Sequence, residues 1–329
     1  MKAVTYSAFG PASDVLNFGE VETPAPGPGQ VLVRLRFSGV NPSDVKVRAG
    51  GRPGVTKPPF DRIIPHSDGA GVIEAVGEGV DAGRVGQKVW IWNGQWQRAF
   101  GTAAEYIALD AKQAVPMPDG VTFESGAVLG IPGLTAAQTV FGGGEVAGQT
   151  VLVSGGGGTV GYPSVQLAAW GGARVIATAS PRDFDRVKQA GADMVLDYRD
   201  PDLAAKLLEA TGGQGVNRAV EPEFGANVGM LNEAMAVGGT IAAYGSVIEP
   251  EPKIPFMPMM FKMLTIDMTL IYVLPTLPRL AAIAKLHEAL TVGAVRFPVQ
   301  SIFELQDCAA AHEAVEAGGR AGAVLVRCT

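Results

Sequence analysis

Apolar and polar residues alternate along V-L-V-R-L-R-F at 31–37, the period of two expected of a strand with one face buried. A turn cluster, P-A-P-G-P-G at 24–29, stands in front of it. G-A-G-V-I-E-A-V-G at 69–77 and Q-K-V-W-I-W at 87–92 read as further short strands. Short strands punctuated by Gly and Pro predict a compact barrel-like or partly rolled sheet over the first third of the chain.

The texture changes near Phe123. Residues 125–141 carry small residues in a helical pattern, and strands and helices then alternate. Strands are predicted at 150–154, 174–179, 194–198, 216–220 and 240–245, with helices near 161–170, 182–190, 200–210 and 225–236. Such alternation implies an α/β domain with a parallel, doubly wound sheet. Beyond Thr265 come helices near 278–292 and 306–317 and a closing strand, A-V-L-V-R at 323–327. This tail is expected to rejoin the first lobe, giving one domain from 1–124 with 266–329 and a second over 125–265.

Composition narrows the function classes. The chain has 329 residues, 47% hydrophobic, with a formal net charge of −6, so it lacks the basic footprint of a nucleic-acid or anionic-membrane binder. Its two cysteines, Cys308 and Cys328, make neither a disulfide framework nor a C-x-x-C spacing. The start, M-K-A-V-T-Y-S-A-F-G, has no apolar signal-peptide core, and Lys262 and Asp267 interrupt the apolar stretch 257–274. A cytoplasmic location is the expectation.

The strongest local signal is V-L-V-S-G-G-G-G-T-V-G at 151–161, which sets Gly156, Gly158 and Gly161 in a G-x-G-x-x-G between an apolar strand and an apolar helix. Glycines there permit a tight turn and let backbone N–H groups reach a pyrophosphate at the helix N-terminus. Gly156, Gly157, Gly158, Thr159, Val160 and Gly161 are therefore expected to bind a dinucleotide. The next strand ends A-T-A-S-P-R. An NAD site usually carries Asp or Glu there, for the ribose 2′-hydroxyl. Ser180 and Arg182 suit a 2′-phosphate instead, which predicts NADPH.

Several further strings occur in a fixed order: G-V-N-P-S-D at 39–44, P-H-S-D-G-A-G-V-I-E-A-V-G at 65–77, G-A-V-L-G-I-P-G-L-T-A at 126–136, then the glycine loop, D-Y-R at 197–199 and A-H-E at 311–313. Over nearly its whole length the chain resembles the zeta-crystallin-like quinone oxidoreductases, a branch of the medium-chain dehydrogenase/reductase superfamily. The resemblance implies a GroES-like, β-rich catalytic domain built from both chain ends, an inserted Rossmann domain, and a cleft between them. It also implies NADPH, with Ser180, Arg182 and Tyr198 at the adenine-ribose phosphate. Asn41, Thr135, Gly245 and Ser246 match the nicotinamide end. A homodimer or homotetramer is the family's habit.

Zinc dehydrogenases of that superfamily carry Cys where Asn41 stands and a metal-binding His where Ser67 stands. A catalytic zinc site needs three ligands of the Cys, His or carboxylate type, and His66 is one position out of register, so no metal is expected. Lys46 replaces a common Tyr, and Gly322-Ala323 replaces a Gly-Lys pair, with Arg320 a substitute cation. Lys46 and His66 thus suggest a small or acidic acceptor.

The resulting expectation is a zinc-free reduction of a quinone by hydride or single-electron transfer. Asn41 is the expected oxyanion donor, Asp44 the residue that orders the loop, His66 a proton donor, and Lys46 a polar group facing the acceptor. A 2-alkenal, enone or enoyl-thioester reductase is the alternative within enzymes. A non-catalytic NADPH-binding structural or RNA-binding protein is the alternative outside them.

Overall fold

The computed structural model describes residues 1–51 and 54–329. The chain divides into two compact units, residues 1–131 with 297–329, and residues 132–296.

In the first unit, strands β1 (Lys2–Thr5) and β2 (Asn17–Glu20) form a hairpin around helix α1 (Ala12–Val15). Strand β3 (Gln30–Val40) leads into helix α2 (Pro42–Arg48). Strands β4 (Asp68–Val76), β5 (Lys88–Ile91), β6 (Tyr106–Asp110) and β7 (Ala114–Pro116) follow, then helix α3 (Phe123–Gly126).

The second unit opens with helix α4 (Leu134–Phe141) and strand β8 (Thr150–Val153). Helix α5 (Gly161–Trp170), strand β9 (Arg174–Ala179), helix α6 (Phe184–Gln189) and strand β10 (Met194–Asp197) come next. Helix α7 (Leu203–Ala210), strand β11 (Val216–Glu221), helix α8 (Phe224–Ala234) and strand β12 (Met235–Ala243) continue the alternation. Helix α9 (Phe256–Phe261), strand β13 (Thr265–Met268) and helix α10 (Thr276–Thr291) complete it. Strand β14 (Val299–Glu304), helix α11 (Cys308–Glu316) and strand β15 (Ala323–Arg327) then return to the first unit.

The second unit's sheet has the order β10-β9-β8-β11-β12-β13, all parallel. The order reverses between β8 and β11, the switch point at which doubly wound sheets bind ligands beyond their strand ends. The core is apolar on both sheet faces, as a sheet covered by helices requires. Leu152, Ile176, Ile241, Leu207 and Leu231 are among its fully buried members. The first unit has a largely antiparallel sheet, β14-β15-β3-β4-β5-β7, with β6 on β3. Along β3 the alternation holds: Val31, Val33 and Leu35 are fully buried, whereas Arg34 and Arg36 are half-exposed.

Two expectations need correction. The helical segment at 125–141 is not one helix, because Pro132 has no N–H to donate. A π-helical turn over Leu129–Gly133 separates α3 from α4. The chain also leaves the second unit after residue 296, not near 265. Strand β13 adds to the parallel sheet beside β12, and α10 packs on α4, so the stretch 266–296 buries its apolar face in that unit. No described helix is long and apolar enough to cross a membrane.

Candidate functional site

In the second unit the segment from β8 to α5 is a tight turn. Gly155 takes the left-handed conformation, φ +67°, which glycine adopts without the steric cost of a Cβ. Its N–H donates to Thr178 Oγ1 at 3.1 Å, and the Gly156 N–H donates to the Thr178 carbonyl at 2.7 Å. These bonds tie the loop to β9. A Cβ on Gly156 would lie 3.0 Å from Ala177 Cβ, and one on Gly161 would strike the Gly155 carbonyl. Gly156 and Gly161 therefore let loop, strand and helix close up. Gly158 has another use: it is exposed, and a Cβ there would meet nothing closer than the Gly155 carbonyl at 3.2 Å. A side chain would fill the space over the loop, and glycine leaves the backbone of 158–160 approachable. Thr159 and Val160 are half-exposed at the start of α5. These residues fit a dinucleotide pyrophosphate.

The ends of β9 and β10 carry the next group. Asp197 is in register with Ala179, so Ser180 and Tyr198 follow on adjacent strands at one sheet edge. Tyr198 is 55% exposed, with the Arg199 guanidinium 5.3 Å from its ring. Arg182 is also exposed and pairs with Asp183 at 3.4 Å. Asp197 is turned into a two-point pair with Arg199, both contacts at 3.1 Å. The end of β9 itself has a hydroxyl and a guanidinium and no carboxylate before Asp183. Gly245 packs on the Pro222 carbonyl, and the Ser246 hydroxyl accepts the Gly225 N–H at 2.9 Å while donating to the Glu249 carbonyl. Thr135 is buried on α4.

In the first unit α2 begins at a cluster of buried polar groups. Asn41 is its N-cap residue and Pro42 fills its first turn, where the missing N–H costs nothing. Asp44 accepts the Asn41 backbone N–H at 2.8 Å, and the Asn41 amide donates to Asp68 Oδ2 at 2.9 Å. The Ile131 N–H reaches the same Asp68 oxygen at 3.1 Å, whereas Asp68 Oδ1 has no partner among the described residues. Both carboxyls are buried. Burial pushes Asp44 up to about 7, and Asp68 is raised well above the usual range by burial and then by the charge of Asp44. Two buried carboxyls around one residue, Asn41, thus hold a proton near neutral pH.

Beside the other end of α2 lies a cavity of about 300 Å³. Phe9, Phe60, Trp96, Val47 and Ile63 make its walls, and the amides of Gln95 and Gln97 are its polar groups. Apolar walls with a few polar groups are usual for a small-molecule site. Lys46 lies outside this lining and is exposed, and among the described residues the lining has no cation.

His66 differs most from expectation. It is fully buried with φ +76°, and both ring nitrogens are engaged: Nδ1 with Ser38 Oγ at 2.8 Å, and Nε2 with His312 Nε2 at 2.8 Å. Burial drives its basicity well below the ordinary imidazole range. A ring so placed, with both nitrogens engaged, is not positioned to deliver protons to an acceptor.

A zinc ion is implied by the wider superfamily. The donors here do not fit it: Asn41 and Asp68 are bonded to each other, Ser67 supplies only a hydroxyl, and both thiols are elsewhere.

Four residues escape sequence reasoning. Gly155 is hidden by the four-glycine run, in which the motif aligns one position later. Arg186 donates to the Gly157 carbonyl, pairs with Asp183 at 3.2 Å and covers the Tyr162 ring at 4.8 Å. Glu221, buried at the end of β11, accepts from the Glu223 N–H at 2.6 Å and the Asn227 amide at 2.9 Å. Asp68 had a usable signal, as the one acid at the head of an apolar strand.

The family model described as alcohol dehydrogenase GroES-like domain matches residues 27–119, and that of zinc-binding dehydrogenase matches 159–288. A quinone oxidoreductase of Sus scrofa is 31% identical over 320 residues, 95% of this chain and 93% of that one. A trans-enoyl reductase of Aspergillus terreus is 34% identical over 216 residues, 61% of this chain and 70% of that one. A solved mycobacterial protein, complexed with NADPH, superposes with a TM-score of 0.86 at 29% identity, covering 99% and 100% of the two chains. The chain belongs to the quinone oxidoreductase family, within the medium-chain dehydrogenase/reductase superfamily, and is an oxidoreductase of that type.

Proposed function

We propose that the protein reduces quinones with NADPH. The observation that carries the cofactor half is the end of β9, where Ser180 and Arg182 stand with Tyr198 beside them and no carboxylate precedes Asp183. A 2′-phosphate gains a charge-assisted contact there, whereas the ribose hydroxyl of NADH lacks its usual acceptor. The cofactor, when bound, supplies hydride from its nicotinamide ring. The aromatic-walled cavity of the first unit suits a flat, uncharged ring. At the opposite end of α2, outside that lining, the Asn41 amide would serve the oxyanion of an acceptor long enough to reach it, and the Asp44–Asp68 pair would hold the proton that follows.

A second reading has a specific observation behind it. Hydride addition to an enone leaves a carbanion that needs an acid nearby, and Asp44, pushed up to about 7, is such an acid. The likeness to a trans-enoyl reductase points the same way. Oxidation of NADPH and NADH, followed by absorbance with 1,4-benzoquinone and with an enone in parallel, separates the readings. Fast, NADPH-selective turnover of the quinone is expected. Turnover of the enone alone moves the substrate to the second class, and equal use of NADH overturns the phosphate pocket.

The sheet edge at β13 carries a further part of the proposal. Met268 is 77% exposed, and Ile248, Phe261 and Leu277 are exposed to a similar degree. Apolar surface on this scale along an unpaired strand suits a second copy of the chain, joined edge to edge.

A further inference from the structure

The chain has three histidines and two cysteines in all. Two of those histidines and one cysteine converge in the first unit: ligand atoms of His66, Cys308 and His312 all lie within 4.8 Å of one another, and all three residues are buried. Cys308 and His312 are four residues apart on α11, a spacing that puts both on one helix face. His66 arrives from the loop before β4, in a left-handed backbone conformation rare outside glycine. Its Nε2 is 2.8 Å from His312 Nε2 and 3.8 Å from Cys308 Sγ.

Hydrogen bonding fixes the His66 tautomer. The Thr102 hydroxyl, 2.5 Å from the Asp68 carbonyl, donates to it. Thr102 Oγ1 therefore accepts from Ser38 at 2.7 Å, and Ser38 Oγ accepts from His66 Nδ1–H at 2.8 Å. This leaves the His66 Nε2 lone pair facing His312 and Cys308. Metal-bound imidazoles have this arrangement, with the outer N–H anchored and the inner nitrogen bare.

We propose that His66, His312 and Cys308 form a buried three-coordinate site for Cu(I). A thiolate and two neutral imidazoles around a monovalent ion carry no net charge, whereas a divalent ion leaves one uncompensated charge in a dry interior. Thiolate ligands also select the softer ion. Bonds of about 2.0 Å to nitrogen and about 2.3 Å to sulfur in a plane set N···N near 3.5 Å and S···N near 3.7 Å. The Sγ–Nε2 distance of 3.8 Å already fits, and the imidazole pair opens by about 0.7 Å from its 2.8 Å. On binding, the Cys308 thiol proton is released as copper takes its place on sulfur. The proton that His312 Nε2 shares with His66 moves to His312 Nδ1, which has no partner among the described residues.

The test is anaerobic titration of the reduced full-length protein with Cu(I) in competition with bicinchoninate, and with Zn(II) in a second arm. One Cu(I) per chain is expected to be withheld, with no stoichiometric Zn(II). Cys308→Ser loses it and Cys328→Ser keeps it. X-ray absorption of the wild-type copper complex, which needs no variant to fold, is expected to show one sulfur and two nitrogens around the metal. Failure of the wild type to withhold Cu(I), equal retention by Cys308→Ser, a preference for Zn(II), or a different donor set would each overturn the site, leaving the cluster a hydrogen-bonded packing unit.

Discussion

Asp44 is an acid that folding removes from water. Its pKa rises to about 7 because burial outweighs the hydrogen bonds from Asn41 and Ser67. The folded protein therefore keeps a proton that the unfolded chain releases above about pH 4. Where the folded state binds more protons, stability falls as pH rises, here between about 4 and 7, and is level above that. His66 and His312 act in the opposite sense, since burial lowers both. Their stability is present above about pH 6.5 and is lost as pH falls below it. Asp44→Asn removes the first effect, together with the part of the Asp68 shift that the Asp44 charge causes. Relative to wild type, this variant is expected to gain on the order of 3 kcal/mol between pH 4.5 and 8. Urea unfolding at several pH values reads the difference, and parallel curves for the two proteins would show that Asp44 ionises normally.

At the scale of elements, the cofactor reading depends on where strands end. The glycine loop was legible in the sequence because its motif sat between an apolar strand and an apolar helix, and the fold puts it at the β8–α5 turn. Ser180 and Arg182 were equally legible, as residues that follow a strand. Ser180→Asp puts a carboxylate at the end of β9, where it repels a 2′-phosphate and receives a ribose hydroxyl. The expected result is a loss of roughly 100-fold in kcat/KM for NADPH, about 2.7 kcal/mol, with NADH use unchanged or improved. Steady-state kinetics with both cofactors measures it. An unaltered preference would mean that the 2′-position is recognised elsewhere. His66 was misread at this same scale: as one position in a motif it looked exposed to chemistry, and only the packing of α11 shows its ring enclosed.

At the scale of the molecule, the edge strand β13 is the feature with a consequence in solution. Met268→Lys puts a charge on that edge, a common device against strand pairing. We expect wild type to run as at least a pair of 34.0 kDa chains and the variant to shift toward a single chain, by light scattering after gel filtration. A wild type that is already a single chain would refute the pairing. What the sequence determined by itself was periodic or local: strand alternation in β3, the βα order of the second unit, the loop glycines, and the residues that end β9. Periodicity and turn chemistry act between near neighbours, so they can be read along the chain. Other features were decided only by the tertiary structure: the return to the first unit after residue 296, the Asp44–Asn41–Asp68 cluster, and the meeting of His66 with Cys308 and His312. Each brings in a residue from far along the chain, as Asp68 joins the local Asn41–Asp44 pair, and burial, which sets their protonation and reach, is a property of the assembled fold.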